Sequence, residues 1–159
     1  MTLSNIKSAK GFTLIELIVV IGMLTILFAI VLVAVNPGRQ FAASRNTARS
    51  NDVNAILNAV HQYAADHNGT LPAGIPTSPT VVDVGNITGS SPAMADLCSL
   101  LSPTYISALP QDPSSNNGAS ITTCSAQYDT HYQISKDSNN RVTVSAPSAE
   151  NSATISVTR

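Results

Sequence analysis

GFTLIELIVVIGMLTILFAIVLVAV, residues 11–35, decides the architecture. From Phe12 to Val35 the run holds 24 residues and a single ionisable side chain, Glu16. As a helix it would span ~36 Å at a rise of ~1.5 Å per residue. The hydrocarbon core of a bilayer is ~30 Å thick, so such a helix crosses it with some tilt. A core helix of a water-soluble domain would show a polar face, and this run has none. The stretch before it, MTLSNIKSAKG, is short and polar and carries Lys7 and Lys10. A secretory signal peptide places its apolar region ahead of the cleavage site, and no convincing small-residue site follows this one. Two readings remain: an uncleaved anchor, or a cut ahead of the apolar run.

Glu16 separates them. A carboxylate inside a membrane segment is costly and usually has a partner. Near one end of the run it could reach the headgroups. Otherwise it needs a cation at its own depth, and a cut after Gly11 would create one, the α-amine of Phe12. Lys10-Gly11-Phe12-Thr13-Leu14-Ile15-Glu16-Leu17 resembles the processing site of type IV pilins and type II secretion pseudopilins. The resemblance implies that residues 1–11 are a leader, removed by a prepilin peptidase that cuts after Gly11 and methylates Phe12. It implies that Glu16, at the fifth mature position, serves assembly by pairing with the Phe12 amine of a neighbouring subunit. Gly11 suits a cut because a residue without Cβ extends cheaply.

Asn36-Pro37-Gly38 interrupts the run. Proline lacks an N–H and pushes the residue before it towards extended geometry. Either the membrane helix ends at Pro37, or, as in pilins, a kink or melted stretch joins two parts of one long helix. Helical spacing resumes with Phe41, Val53, Ile56, Leu57, Val60, Tyr63 and Ala64, read as one stripe facing a head domain. Gly69 is the expected C-cap. Arg39, Arg45 and Arg49 are read as a solvated face or as contacts to neighbouring subunits, ahead of lipid or DNA phosphate.

Residues 70–159 read as the head. Ser91-Pro92 predicts a helix start, with Met94, Leu97, Cys98 and Leu101 on its apolar face and Pro103 at its end. Tyr128, Thr130, Tyr132 and Ile134 alternate along one strand, Val142 and Val144 along the next, Ile155 and Val157 along the last. Asp137-Ser138-Asn139-Asn140 makes the first turn between them. The fold class expected is α+β and type IV pilin-like. A long N-terminal helix, transmembrane over 12–35 and amphipathic over 36–69, packs on a small antiparallel sheet. Cys98 and Cys124, both in the exported half, read as one disulfide, with two free thiols as the alternative.

The rest of the sequence argues against catalysis. No nucleophile elbow occurs. His61, His67 and His131 lack metal-ligand spacing. Asp112, Ser114, Asn116 and Gly118 faintly echo a calcium loop, such as major secretion pseudopilins carry, but lack its carboxylates. A net charge of −1 argues against a nucleic-acid binder. No enzyme activity, cofactor, metal or specific nucleic acid is expected. The expected function is a structural subunit of a type IV pilus-like filament, with a type II secretion pseudopilin as the alternative. A membrane-tethered binding protein that never polymerises is the rival from another class. The partners implied are the prepilin peptidase, identical or homologous subunits, an inner-membrane assembly platform and the lipid bilayer. The expected location is the inner membrane before assembly, with the head outside the cytoplasm, and an extracellular or periplasmic filament afterwards.

Overall fold

The computed structural model describes residues 11–78, 80–90 and 93–159. Lys7 and Lys10 of the leader, Pro79, and the helix start expected at Ser91-Pro92 lie outside the described residues. The chain divides into two compact units, Met1–Gly38 and Arg39–Arg159.

The first unit is helix α1, Leu14–Ala34. Thr13 caps it with extended backbone (φ −83°, ψ 152°). No residue of α1 is buried; Leu24 is 46 % exposed and Val33 88 %. An apolar surface of that extent is unstable in water and calls for lipid or protein around it. Among the described residues α1 alone is long and apolar enough to cross a membrane. It stops at Val35, whose N–H still donates to Val31 O at 2.9 Å. Helix α2, Pro37–Asp66, begins two residues later. The interruption is therefore confined to Val35 and Asn36, with no longer melted stretch. Pro37 takes the first position of α2, where its missing N–H has no partner to lose.

The second unit contains α2 from Arg39 on, β1 (Val82–Gly85), α3 (Cys98–Leu101), β2 (Asp129–Lys136), β3 (Val142–Ala146) and β4 (Ile155–Thr158). The strands form one antiparallel sheet in the order β1-β2-β3-β4. Alternation is legible in the burial of β2: Thr130, Tyr132 and Ile134 are closed to solvent, while His131 is exposed. Val142, Val144 and Ala146 continue that inner face in β3. The core joins this face to Val53, Ile56, Leu57 and Val60 of α2, with Leu97, Leu101 and Leu109 from the β1–β2 connection.

Three expectations need correction. Phe41 is exposed, and Ala42 is buried in its place. At ~100° per residue, Ala42 lines up with Val53 eleven residues on, and Phe41 falls off that stripe. Among the described residues, the helix of the head is the single turn Cys98–Leu101, and Met94 precedes it in a non-helical stretch. The strand Val82–Gly85 has no counterpart among the elements expected from the sequence, because its four residues carry too little alternation to detect. Gly85 is required where it sits: a Cβ there would lie 2.7 Å from Tyr128 O. The β1 edge is covered by Ala95, which exchanges backbone bonds with Asp83 O and the Gly85 N–H.

The end of α2 follows the expected cap with one change. Gly69 donates its N–H to Ala64 O at 2.8 Å, closing a Schellman turn in which Asn68 (φ 53°) and Gly69 (φ 84°) are both left-handed.

Candidate processing and assembly site

Gly11, Phe12 and Thr13 lie in non-helical backbone immediately before α1. The Gly11–Phe12 peptide therefore sits outside the helix, where a protease can take it as an extended strand. All three residues are exposed, and among the described residues nothing lies within 4 Å of a Cβ built on Gly11.

Glu16 is turned back onto the helix start. The Thr13 N–H and the Thr13 Oγ1–H both donate to Glu16 Oε2, at 2.8 and 2.7 Å. The Glu16 N–H donates to Thr13 Oγ1 at 3.3 Å. This is a reciprocal capping box, satisfying backbone donors that the first turn leaves open. The carboxylate also faces the favourable end of the helix dipole. Thr13 is the residue that the sequence reading passed over, although Thr-x-x-Glu ahead of an apolar run is the sequence signature of this cap. The consequence is chemical. Glu16 is held within three residues of Thr13 and next to Phe12, the residue whose amine a cut would release.

In the head, Cys98 and Cys124 are joined, with Cα atoms 5.3 Å apart. The bridge ties α3 to the connection leading into β2. Tyr128 reinforces the same point. Its hydroxyl accepts the Cys98 N–H at 2.9 Å and donates to Asp96 Oδ1 at 2.7 Å.

The faint calcium echo at 112–118 is resolved differently. Asp112 is 1 % exposed and its carboxylate is taken by Arg49, Nε to Oδ2 at 2.8 Å and Nη2 to Oδ1 at 3.0 Å. The Ser114 N–H also donates to Asp112 Oδ1. Among the described residues no group of three His, Cys, Asp or Glu is placed to hold a metal. The reading of Arg49 as a solvated or intersubunit residue is corrected by the same cluster, while Arg45 stays 37 % exposed. Arg49 is fully buried, and its Nη1 donates to Glu150 Oε2 at 2.9 Å; Arg45 Nη2 lies 2.6 Å from Glu150 Oε1. Asn46 completes it, exchanging two bonds with the backbone of Glu150. The signal was present: Arg49 is seven residues from Ala42 and four from Val53, on the buried stripe itself, where a charge requires a carboxylate partner.

These pairings set the acid–base state of the cluster. Burial pushes the Asp112 carboxyl up, but the Arg49 guanidinium and the Ser114 N–H outweigh it and hold it below its ordinary value. Hydrogen bonds from Arg45 and then Arg49 hold Glu150 down to about 2.

No curated protein and no solved structure matches the chain significantly. The family model for the prokaryotic N-terminal methylation motif matches residues 6–32. That match spans the Gly11–Phe12 junction, the Thr13–Glu16 cap and most of α1, and it implies processing by a prepilin peptidase and pilin assembly. The N-terminal segment of this chain is therefore the prepilin motif of type IV pilins and pseudopilins, borne on a pilin-like α+β fold.

Proposed function

We propose that the chain is a structural subunit of a type IV pilus-like filament, stored in the inner membrane and assembled through its bundled N-terminal helices. The observation that carries this reading is α1: 21 residues with none buried, headed by a capped glutamate beside the processing junction. Such a helix needs lipid before assembly and neighbouring helices after it. The subunit is not an enzyme. Its partners are the prepilin peptidase, further copies or homologous subunits, and an assembly platform in the inner membrane.

The pilus is preferred to the secretion pseudopilus on one ground. The head loop that would carry a pseudopilin's calcium has Asp112 committed to Arg49. Filaments sheared from intact cells, imaged and analysed by intact mass, test the proposal. The expected species begins at N-methyl-Phe12. A chain still starting at Met1 would overturn the processing. A correctly cut chain confined to the periplasm, in short fibres, would transfer it to the pseudopilins.

A further inference from the structure

The sheet carries a bulge where β2 faces β1. Between the pairs Asp83↔Gln133 and Gly85↔Asp129, β1 advances two residues and β2 advances four. His131 lies in that bulge with φ 59°, a left-handed conformation uncommon for any residue with a Cβ. Neighbouring side chains enforce it. Thr130 Oγ1 donates to Val84 O at 2.8 Å and accepts the Tyr132 N–H at 3.2 Å. Asp129 Oδ1 accepts the His131 N–H at 2.7 Å, and Asp129 Oδ2 lies 3.3 Å from His131 Nδ1. Bulges of this kind re-aim a side chain, and unfavourable backbone held so firmly clusters where ligands bind.

His131, its imidazole 45 % exposed, lines a cleft of about 530 Å³ on the head. Gln111, Asn116, Thr123, Gln127 and Asp129 line it with amides, a hydroxyl and a carboxylate, and Ile87 and Ile121 add apolar surface. Asn116, another lining residue, also has left-handed backbone (φ 44°). Among the described residues no lysine or arginine lines the cleft, so none of them would neutralise a phosphate or carboxylate ligand there. One carboxylate and one imidazole are too few for a metal site. Amides both donate and accept, a carboxylate accepts from paired hydroxyls, and a ring face covers C–H groups.

We propose that this cleft binds a neutral saccharide, its hydroxyls held by Asn116, Gln127 and Asp129 and its C–H face laid against His131. The inference is independent of filament formation. The test therefore uses the full mature chain dispersed in a detergent whose headgroup carries no sugar. Methyl glycosides of glucose, galactose, mannose and N-acetylglucosamine are titrated and followed by NMR. At least one should bind with a millimolar Kd and shift the amides of residues 116 and 129–131. His131→Gly keeps the bulge, since glycine favours this φ, and removes the ring. It should leave Tm equal or higher while weakening binding by roughly tenfold or more. Asn116→Ala should weaken binding likewise. The proposal is overturned if none of the glycosides binds, if both variants bind as the parent does, or if the shifts fall elsewhere. It is equally overturned if no glycoside binds and His131→Gly lowers filament yield, which would make the cleft a contact between subunits.

Discussion

Arg49 of α2 and Asp112 of the β1–β2 connection form a two-bonded ion pair closed to solvent, at 2.8 and 3.0 Å, across 63 residues of sequence. Removing one partner leaves the other charge buried and unpaired, which costs about 3–5 kcal/mol. Arg49→Met or Asp112→Leu should each lower the unfolding free energy of the mature chain by that order. The double variant Arg49→Met/Asp112→Leu should recover most of it, because two apolar side chains leave no orphaned charge. Denaturant titration of the four proteins checks this; a fully additive double loss would show that packing, not charge pairing, dominates the site.

Acid should loosen the same region in a defined window. Glu150 has an ordinary pKa of 4.5 and is held down to about 2 in the fold. Its contribution is complete above its ordinary value and is lost as pH falls towards about 2. Asp112 is also held below its ordinary 3.8 and adds to the loss in the same direction. Asp52 works against them. Burial raises its carboxyl despite the hydrogen bond from Tyr132, so protonation there favours the fold as pH drops. The denaturation midpoint measured from pH 5 to pH 2 should fall, and Glu150→Gln should flatten the fall while lowering the plateau near neutrality. An unchanged slope in that variant would remove Glu150 from the account.

The disulfide encloses the 25 residues between Cys98 and Cys124. In the chain-entropy model a loop of that size contributes about 3–4 kcal/mol by restricting the unfolded chain. Replacing both cysteines by serine should lower stability by that order, with the sheet retained. Thiol labelling of unfolded, unreduced protein should find no reactive cysteine in the parent. Tyr128→Phe should weaken the same corner further, since the Cys98 N–H loses its acceptor while closed to solvent.

Glu16→Ala should insert and be cut, because it removes a charge from an apolar helix. Assembly should fail, since the approaching Phe12 amine finds no carboxylate. Glu16→Gln can keep the bonds from Thr13 and should be intermediate at best. Thr13→Val removes the side-chain half of the cap but leaves the carboxylate, so filaments should form at reduced yield. The ratio of filament to membrane-pool protein, with cleavage verified by mass, separates these cases. Normal yield from Glu16→Ala as sole subunit would return Glu16 to a headgroup-facing role.

Sequence alone determined what depends on neighbours along the chain. The apolar run of α1, the junction at Gly11–Phe12, the stop at Asn36-Pro37 and the alternation of β2, β3 and β4 are patterns within a few residues of each other. Physics reads them locally, through helix rise, side-chain period and proline's missing N–H. The Thr13–Glu16 cap belongs here too, and its spacing was legible. Tertiary structure decided what depends on residues brought together from afar. Arg49 became a core residue because Asp112 and Glu150, 63 and 101 positions on, arrive to meet it. β1 became a strand because β2 and Ala95 supply its hydrogen-bond partners on both sides. His131 took a left-handed conformation because Asp129, Thr130 and the register with β1 impose it. A backbone bond or a charge pair is worth little until its partner is in place, and which partner arrives is settled only when the sheet closes on the helix.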